Sequence, residues 1–267
     1  MPFPLEQRVN ALRARAEADP RIEAVLLYGS YTIAEADEFS DIEAYLFIDD
    51  ESLPDFDVAA FLGTVAEIRL ASVNQHGVNA VIFDDLMRGE FHAEAASSVD
   101  QVRSWRGMIH LPDPDRAVLL DRTGGLTDAA AVLTEPHRPE PAATARQLVD
   151  DLTNWTLMAA NLLARGETAR GHALLTGVVA PFQLRLCRLL RGTVDNWLTP
   201  SRRLEHDLTT EDYARHAATT SRLVPDEVTL AARESWQWTR SLSDEAARRW
   251  EMPLDQELFE LIAARLA

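Results

Sequence analysis

Ile22-Glu-Ala-Val-Leu-Leu-Tyr-Gly-Ser30, then Tyr31 to Ser40, then Asp41-Ile-Glu-Ala-Tyr-Leu-Phe-Ile48 is the stretch that decides the fold of this chain. An apolar strand ends in a small-residue turn, a short polar segment predicted as helical follows, and a second strand opens on two carboxylates. Successive strand side chains alternate faces, so Asp41 and Glu43 point the same way, with Cα atoms about 6.5–7 Å apart. Ile42, Ala44, Leu46 and Ile48 then form the opposite, buried face. Carboxylates converging from one strand face can hold one or two Mg²⁺ ions, and two such ions roughly 3.5–4 Å apart clamp an in-line phosphoryl displacement. Gly29 lets backbone approach a triphosphate closely, and Ser30 offers its N–H and hydroxyl to a phosphate at the start of the predicted helix. Either half alone is ordinary, since Gly-Ser is a common turn and paired acids often face solvent. Their order along the chain is what points to metal-dependent nucleotidyl transfer.

At 267 residues, 46% of them apolar, the chain is long enough for two modest domains or one large one. No run of eighteen apolar residues is present, which predicts no membrane span on length grounds. The start, Met1-Pro-Phe-Pro-Leu-Glu-Gln-Arg8, lacks a basic segment followed by an apolar core, so no signal peptide is expected. A single cysteine, Cys187, set in Leu-Arg-Leu-Cys-Arg-Leu-Leu, reads as a small buried hydrophobe and permits no internal disulfide. A cytoplasmic protein is expected. The net charge of −17 comes from 43 acids against 26 bases, and every base is arginine. Such a surface repels polynucleotides, so no nucleic-acid partner is expected, and it favours a small cationic co-substrate.

The pattern along the chain predicts a mixed α/β half that carries the chemistry and a helical half. An opening helix is expected from Leu5 to Ala18, closed by Pro20, and another from Phe56 to Ile68. Arg69–Asn74 and Val78–Phe83 read as a hairpin around Gln75-His76-Gly77, and Ala117–Leu120 as a later strand. Thr134 to Thr144, with Pro136, Pro139 and Pro141, is the expected linker. The expected domains are 1–135 and 145–267. Beyond the linker every apolar period is helical: a stripe of Leu148, Leu152, Trp155, Ala159 and Leu162, an apolar stretch Leu174–Leu190 broken by Pro181, and helices Pro225–Trp250 and Leu254–Leu266.

Nucleotidyl transfer often uses a third carboxylate, which accepts the proton of the attacking hydroxyl. Asp84, Asp85 and Glu90 are the candidates. An Asp at the end of the hairpin can simply cap the next turn, whereas Glu90 is expected on a loop or short helix, where catalytic groups are commonly displayed. Arg88 and His92 flank Glu90, and either can touch the triphosphate or the acceptor, although an arginine here is at least as often a solvated partner of Asp84 or Asp85. Tyr45 shares the face of Asp41 and Glu43 and is expected to line the cleft, while Tyr28 finishes a core strand. The tryptophans at 155, 197, 236, 238 and 250 read as core. The seven histidines show no paired ligand spacing, so no zinc site is expected.

Tyr28-Gly29-Ser30 through Asp41-Ile42-Glu43, followed by Val81-Ile-Phe-Asp-Asp-Leu-Met-Arg-Gly-Glu-Phe-His92, resembles the lincosamide nucleotidyltransferases of the larger, two-domain type. The likeness extends to Asn154-Trp155 with Leu157-Met158, Arg165-Gly166-Glu167 with Ala169-Arg170, Asp195-Asn196-Trp197-Leu198 and Thr219-Thr220-Ser221-Arg222-Leu223. The resemblance implies an α+β protein, with an N-terminal polymerase-β-like nucleotidyltransferase domain and a C-terminal helical bundle for substrate binding and dimerisation. It implies transfer of AMP from ATP, with Mg²⁺, to a hydroxyl of lincomycin or clindamycin; the alternative is an aminoglycoside. It implies Asp41 and Glu43 as metal ligands, Glu90 as the general base, Gly29, Ser30 and Arg88 at the nucleotide, and a homodimer. The chain departs from relatives in having arginine where they often have lysine and in its proline-rich linker.

Overall fold

The computed structural model describes residues 4–136 and 138–267, so part of the N-terminal reading and His137 of the expected linker lie outside the described residues. The chain divides into two compact units, Met1–His137 and Arg138–Ala267.

In the first unit Pro4 opens helix α1 (Pro4–Ala18), where its missing N–H costs nothing. Leu5, Val9, Leu12 and Ala16 recur at helical spacing and are buried. Strands β1 (Ile22–Leu27) and β2 (Ile42–Ile48) follow, then α2 (Val58–Gly63), β3 (Ile68–Val73), β4 (Asn79–Phe83) and β5 (Arg88–Ala95). A long 3₁₀ segment (Ala96–Trp105), α3 (Pro114–Ala117), β6 (Val118–Asp121) and α4 (Gly125–Ala130) complete the unit. The six strands form one sheet in the order β3-β4-β5-β2-β1-β6. β2 and β5 pair in parallel, with α2 and the β3–β4 hairpin in the crossover between them.

Both faces of the central strands are apolar because both are covered. On one side Ile42, Ala44, Leu46 and Ile48 pack with Val25, Leu27, the apolar stripe of α1 and Phe61 and Leu62 of α2. On the other, Ala24, Leu26 and Phe47 pack with Val102, Ala117, Leu126 and Ala129. On that second face the apolar cover reaches Tyr45 and gives way to Glu43 and Asp41.

Three local expectations change. The segment after Ser30 is not a helix but a single 3₁₀ turn, Gly29–Tyr31, followed by irregular turns. The Thr32 hydroxyl donates to Gly29 O at 2.9 Å, Ala34 takes φ 58°, and Asp37 and Ser40 satisfy each other locally, so hydrogen bonds that would propagate a helix are spent nearby. The helix expected over Phe56–Ile68 shortens to α2: Asp57 caps its start by accepting from Ala60 N, and Ile68 already belongs to β3. Glu90 sits on a strand, β5, rather than on a loop or helix.

The second unit is helical: α5 (Pro141–Ala164), α6 (Thr168–Leu174), α7 (Ala180–Arg191), α8 (Leu204–Asp207), α9 (Thr210–Ala218), α10 (Pro225–Trp250) and α11 (Gln256–Leu266). α5 starts inside the expected linker, because Pro141 suits the first helical turn and the Glu140 carboxylate accepts from Ala142 N and Ala143 N. Pro181 does not break the chain either. A π-helical turn, Leu175–Val179, joins α6 to α7 and absorbs the hydrogen bond that proline cannot donate. Within the resulting segment, Thr168–Arg191, an eighteen-residue window has a mean hydropathy of 1.4, so the helix is long and apolar enough to cross a membrane, which corrects the exclusion on length; half of that window is buried inside the protein. Its residues Leu184, Leu186 and Cys187 join Leu152, Ala159, Trp236, Trp238 and Phe259 in the core of this unit. Burial pushes the Cys187 thiol up to about 12, consistent with an inert packing residue.

Candidate active site

The site is built where β1 ends and β2 begins. Tyr28 N donates to Glu43 O at 3.1 Å, which carries the β1–β2 pairing up to the turn. Gly29 then takes φ +77°, and a Cβ there would lie 1.7 Å from Glu43 Oε2. The Glu43 carboxylate therefore rests against the Gly29-Ser30 turn, in space that only glycine leaves open. Ser30 Oγ beside it is buried without a hydrogen-bond partner in the protein, which marks a hydroxyl available to an incoming group.

The parallel pairing supplies the third carboxylate. Ile42 is opposite Gly89, Glu43 opposite Glu90 and Tyr45 opposite His92. Glu43 and Glu90 are therefore neighbours on the same face of adjacent strands. Arg88, two positions earlier on β5, lies on that face as well. Its Nη1 donates to Asp41 Oδ2 at 3.3 Å and its Nη2 to Glu90 Oε1 at 2.8 Å. The expected pairing of Arg88 with Asp84 or Asp85 is thus replaced by one with Asp41 and Glu90. Asp84 and Asp85 lie in the tight turn between β4 and β5, where Leu86 takes φ 66°. Asp85 accepts from Met87 N and from Arg8 at 2.8 Å, a structural role.

Beyond the carboxylates an aromatic floor follows on the same face. Tyr45 stacks on His92 with centroids 4.1 Å apart, and Trp105 packs on Tyr45 at 4.4 Å. Tyr28 Oη is hydrogen-bonded to His92 Nε2 at 3.2 Å. Burial lowers the His92 pKa against the pull of Glu94 and Glu90, so the ring is neutral near pH 7. Burial, reinforced by Glu43, raises that of Tyr28, which stays a phenol. Tyr28 thus belongs to the floor and does not merely finish a core strand. Trp105 escaped the sequence reading because it ends an irregular 3₁₀ segment with no apolar period leading to it.

The donor set near the turn is all carboxylate oxygen, which suits a hard divalent cation. Asp41 and Glu90 already converge on one cationic group, the Arg88 guanidinium. Among the described residues no group of three or more His, Cys, Asp or Glu could hold an ion by itself.

Residues 142–264 match the family model for the lincosamide nucleotidyltransferase-like C-terminal domain. The match lies within the helical unit and likens that unit to the C-terminal domain of lincosamide nucleotidyltransferase-like proteins. No curated protein matches the sequence. Among solved structures the chain is similar to an aminoglycoside 6-adenyltransferase from Bacillus subtilis, at 14% identity over 98% of this chain and 97% of that one, with a TM-score of 0.45. It is also similar to a nucleotidyltransferase-like protein from Exiguobacterium sibiricum, at 13% identity over 98% of this chain and 88% of that one, with a TM-score of 0.39.

Proposed function

We propose that the protein inactivates a lincosamide by transferring AMP from ATP to a hydroxyl of the drug, with Asp41 and Glu43 holding Mg²⁺. The observation that carries this reading is the seating of the Glu43 carboxylate against Gly29-Ser30, with Glu90 beside it across the strand pair. Gly29 and Ser30 bind the triphosphate, the Ser30 hydroxyl donating to a phosphate oxygen. Asp41 and Glu43 would hold the metal, which would supply charge neutralisation for the leaving pyrophosphate. Glu90 accepts the proton of the drug hydroxyl as its oxygen attacks the α-phosphorus. The bond from that phosphorus to the bridging oxygen breaks, and pyrophosphate leaves. The neutral His92 and the Tyr28 phenol form an uncharged floor beside the carboxylates, so the negative field stays concentrated at Asp41, Glu43 and Glu90. The resemblance extends this proposal to a catalytic domain at 1–135, a substrate-binding and dimerising domain at 145–267, and a cytoplasmic homodimer.

Incubation with ATP, Mg²⁺ and clindamycin should add one adenylate mass to the drug and release pyrophosphate. An unchanged drug together with a modified aminoglycoside would replace the lincosamide by the second reading, which the net charge of −17 favours because aminoglycosides are polycations.

A further inference from the structure

We propose that Arg88 is a built-in counter-cation of the carboxylate cluster, one that yields Asp41 to the incoming divalent cation while keeping Glu90 in place. The inference rests on the metal-site reading above and adds a gating role to it. The guanidinium reaches the two acids with different nitrogens, Nη1 to Asp41 at 3.3 Å and Nη2 to Glu90 at 2.8 Å. The rigid fork of arginine thereby spans both strands, which a lysine point charge cannot do. Arg88 is placed for this by the backbone: it shares a face with Glu90, and Asp41 stands one position before the Ile42–Gly89 pair.

Three like charges gathered on one face repel one another, and the guanidinium neutralises part of that repulsion before a metal is present. A divalent cation needs the same Asp41 oxygens at short range and is repelled by the guanidinium. The two cations therefore compete for Asp41. The contacts are unequal in a useful way: the longer one is to the proposed metal ligand and the shorter one to the proposed base. The Arg88 side chain is 56% exposed, so its ion pairs are screened and weak enough to be exchanged. Once displaced from Asp41, Nη1 is free to donate to the polyphosphate arriving with the metal. Arg88 is thus a positioning residue that couples metal entry to retention of the base.

Mn²⁺ is the probe, with free and bound ion counted by electron paramagnetic resonance in the intact protein, first without nucleotide. Arg88→Met removes the charge but keeps much of the side-chain length. It should bind Mn²⁺ more tightly than the wild type, on the order of fivefold, a factor set by the modest strength of a partly exposed ion pair. The advantage should vanish or reverse once a non-hydrolysable ATP analogue is added, and Arg88→Lys, which keeps the charge but cannot span both acids, should fall between the wild type and Arg88→Met without nucleotide. Equal or weaker Mn²⁺ binding by a folded Arg88→Met without nucleotide, checked by an unchanged melting curve, overturns the inference while leaving the metal site intact. A wild type that takes up no Mn²⁺ even with the analogue overturns the metal reading and this inference with it.

Discussion

Glu43 and Glu90 are register partners on the parallel strands β2 and β5, and this single pairing joins the half of the site at the Gly-Ser turn to the half at Arg88. Because paired residues project to the same face, a group bound at Glu43 is within the neighbourhood of Glu90. The proposed division of labour follows: one carboxylate serves the metal, the other the proton. Glu90→Gln should retain ATP binding and lose about 10²–10⁴-fold in turnover, the usual worth of a positioned base. Equilibrium binding of ATP beside steady-state kinetics checks it; weakened ATP binding with normal turnover would make Glu90 a binding residue.

Asp41→Asn removes a proposed metal ligand and should lower turnover by orders of magnitude. Asp41 is partly exposed and its protein partner is Arg88, so thermal unfolding should move little. The contrast between a collapsed rate and an unchanged melting curve is the readout.

Gly29→Ala should damage both fold and chemistry. The backbone there has φ +77°, and the new Cβ would lie 1.7 Å from Glu43 Oε2. The left-handed conformation costs about 1–2 kcal/mol for a non-glycine residue, and Glu43 must also leave the turn. Denaturant unfolding measures the first effect; loss of nucleotide affinity measures the second.

Gly89→Ala tests the strand pair itself. Its added Cβ would meet Phe91 Cε2 at 2.5 Å, Val81 Cγ2 at 3.0 Å and Ile42 Cγ2 at 3.2 Å. Overpacking of this kind costs about 1–3 kcal/mol. A chemical-denaturation midpoint lowered without a change in slope is the expected result.

In the helical unit Asp212 accepts from Arg191 through Nε at 2.7 Å and Nη2 at 3.0 Å, and from the Thr209 hydroxyl at 2.7 Å. Burial alone would raise its carboxyl, but these hydrogen bonds outweigh burial and hold it below 3.8. A depressed carboxylate contributes stability that is complete above the unfolded value and is lost as pH falls through the folded one. The wild type should therefore lose stability below about pH 4. Asp212→Asn should flatten that acid limb and cost about 2–3 kcal/mol at neutral pH, since Arg191 keeps Glu245 as a partner. Urea midpoints between pH 2.5 and 7 read both effects.

Much of the first unit was legible because local periodicity carries it. The alternation Ile42-Glu43-Ala44-Tyr45-Leu46 places acids and apolar residues on opposite faces, and the structure buries Ile42, Ala44 and Leu46. The hairpin around Gln75-His76-Gly77 was equally readable from its turn. What misled was local chemistry that competes with helix: Thr32, Asp37 and Ser40 spend their hydrogen bonds on nearby groups, so the polar segment turns instead of coiling. Alternation of Arg88, Glu90 and His92 against Gly89, Phe91 and Ala93 was a strand signal, but the glycine and the charges obscured it. Trp105 left no signal at all.

The sequence by itself determined that Asp41 and Glu43 share a face and that a glycine turn precedes them, because strand alternation and glycine's freedom at positive φ are properties of a few adjacent residues. The family resemblance already favours Glu90 over Asp84, but only the tertiary structure decided that Glu90 stands opposite Glu43 and that Arg88 bridges Asp41 to Glu90. Those relations depend on the register of two strands that are distant in the chain and joined by a crossover. That register is set by the apolar faces of β2 and β5 packing into one core, which no local spacing encodes.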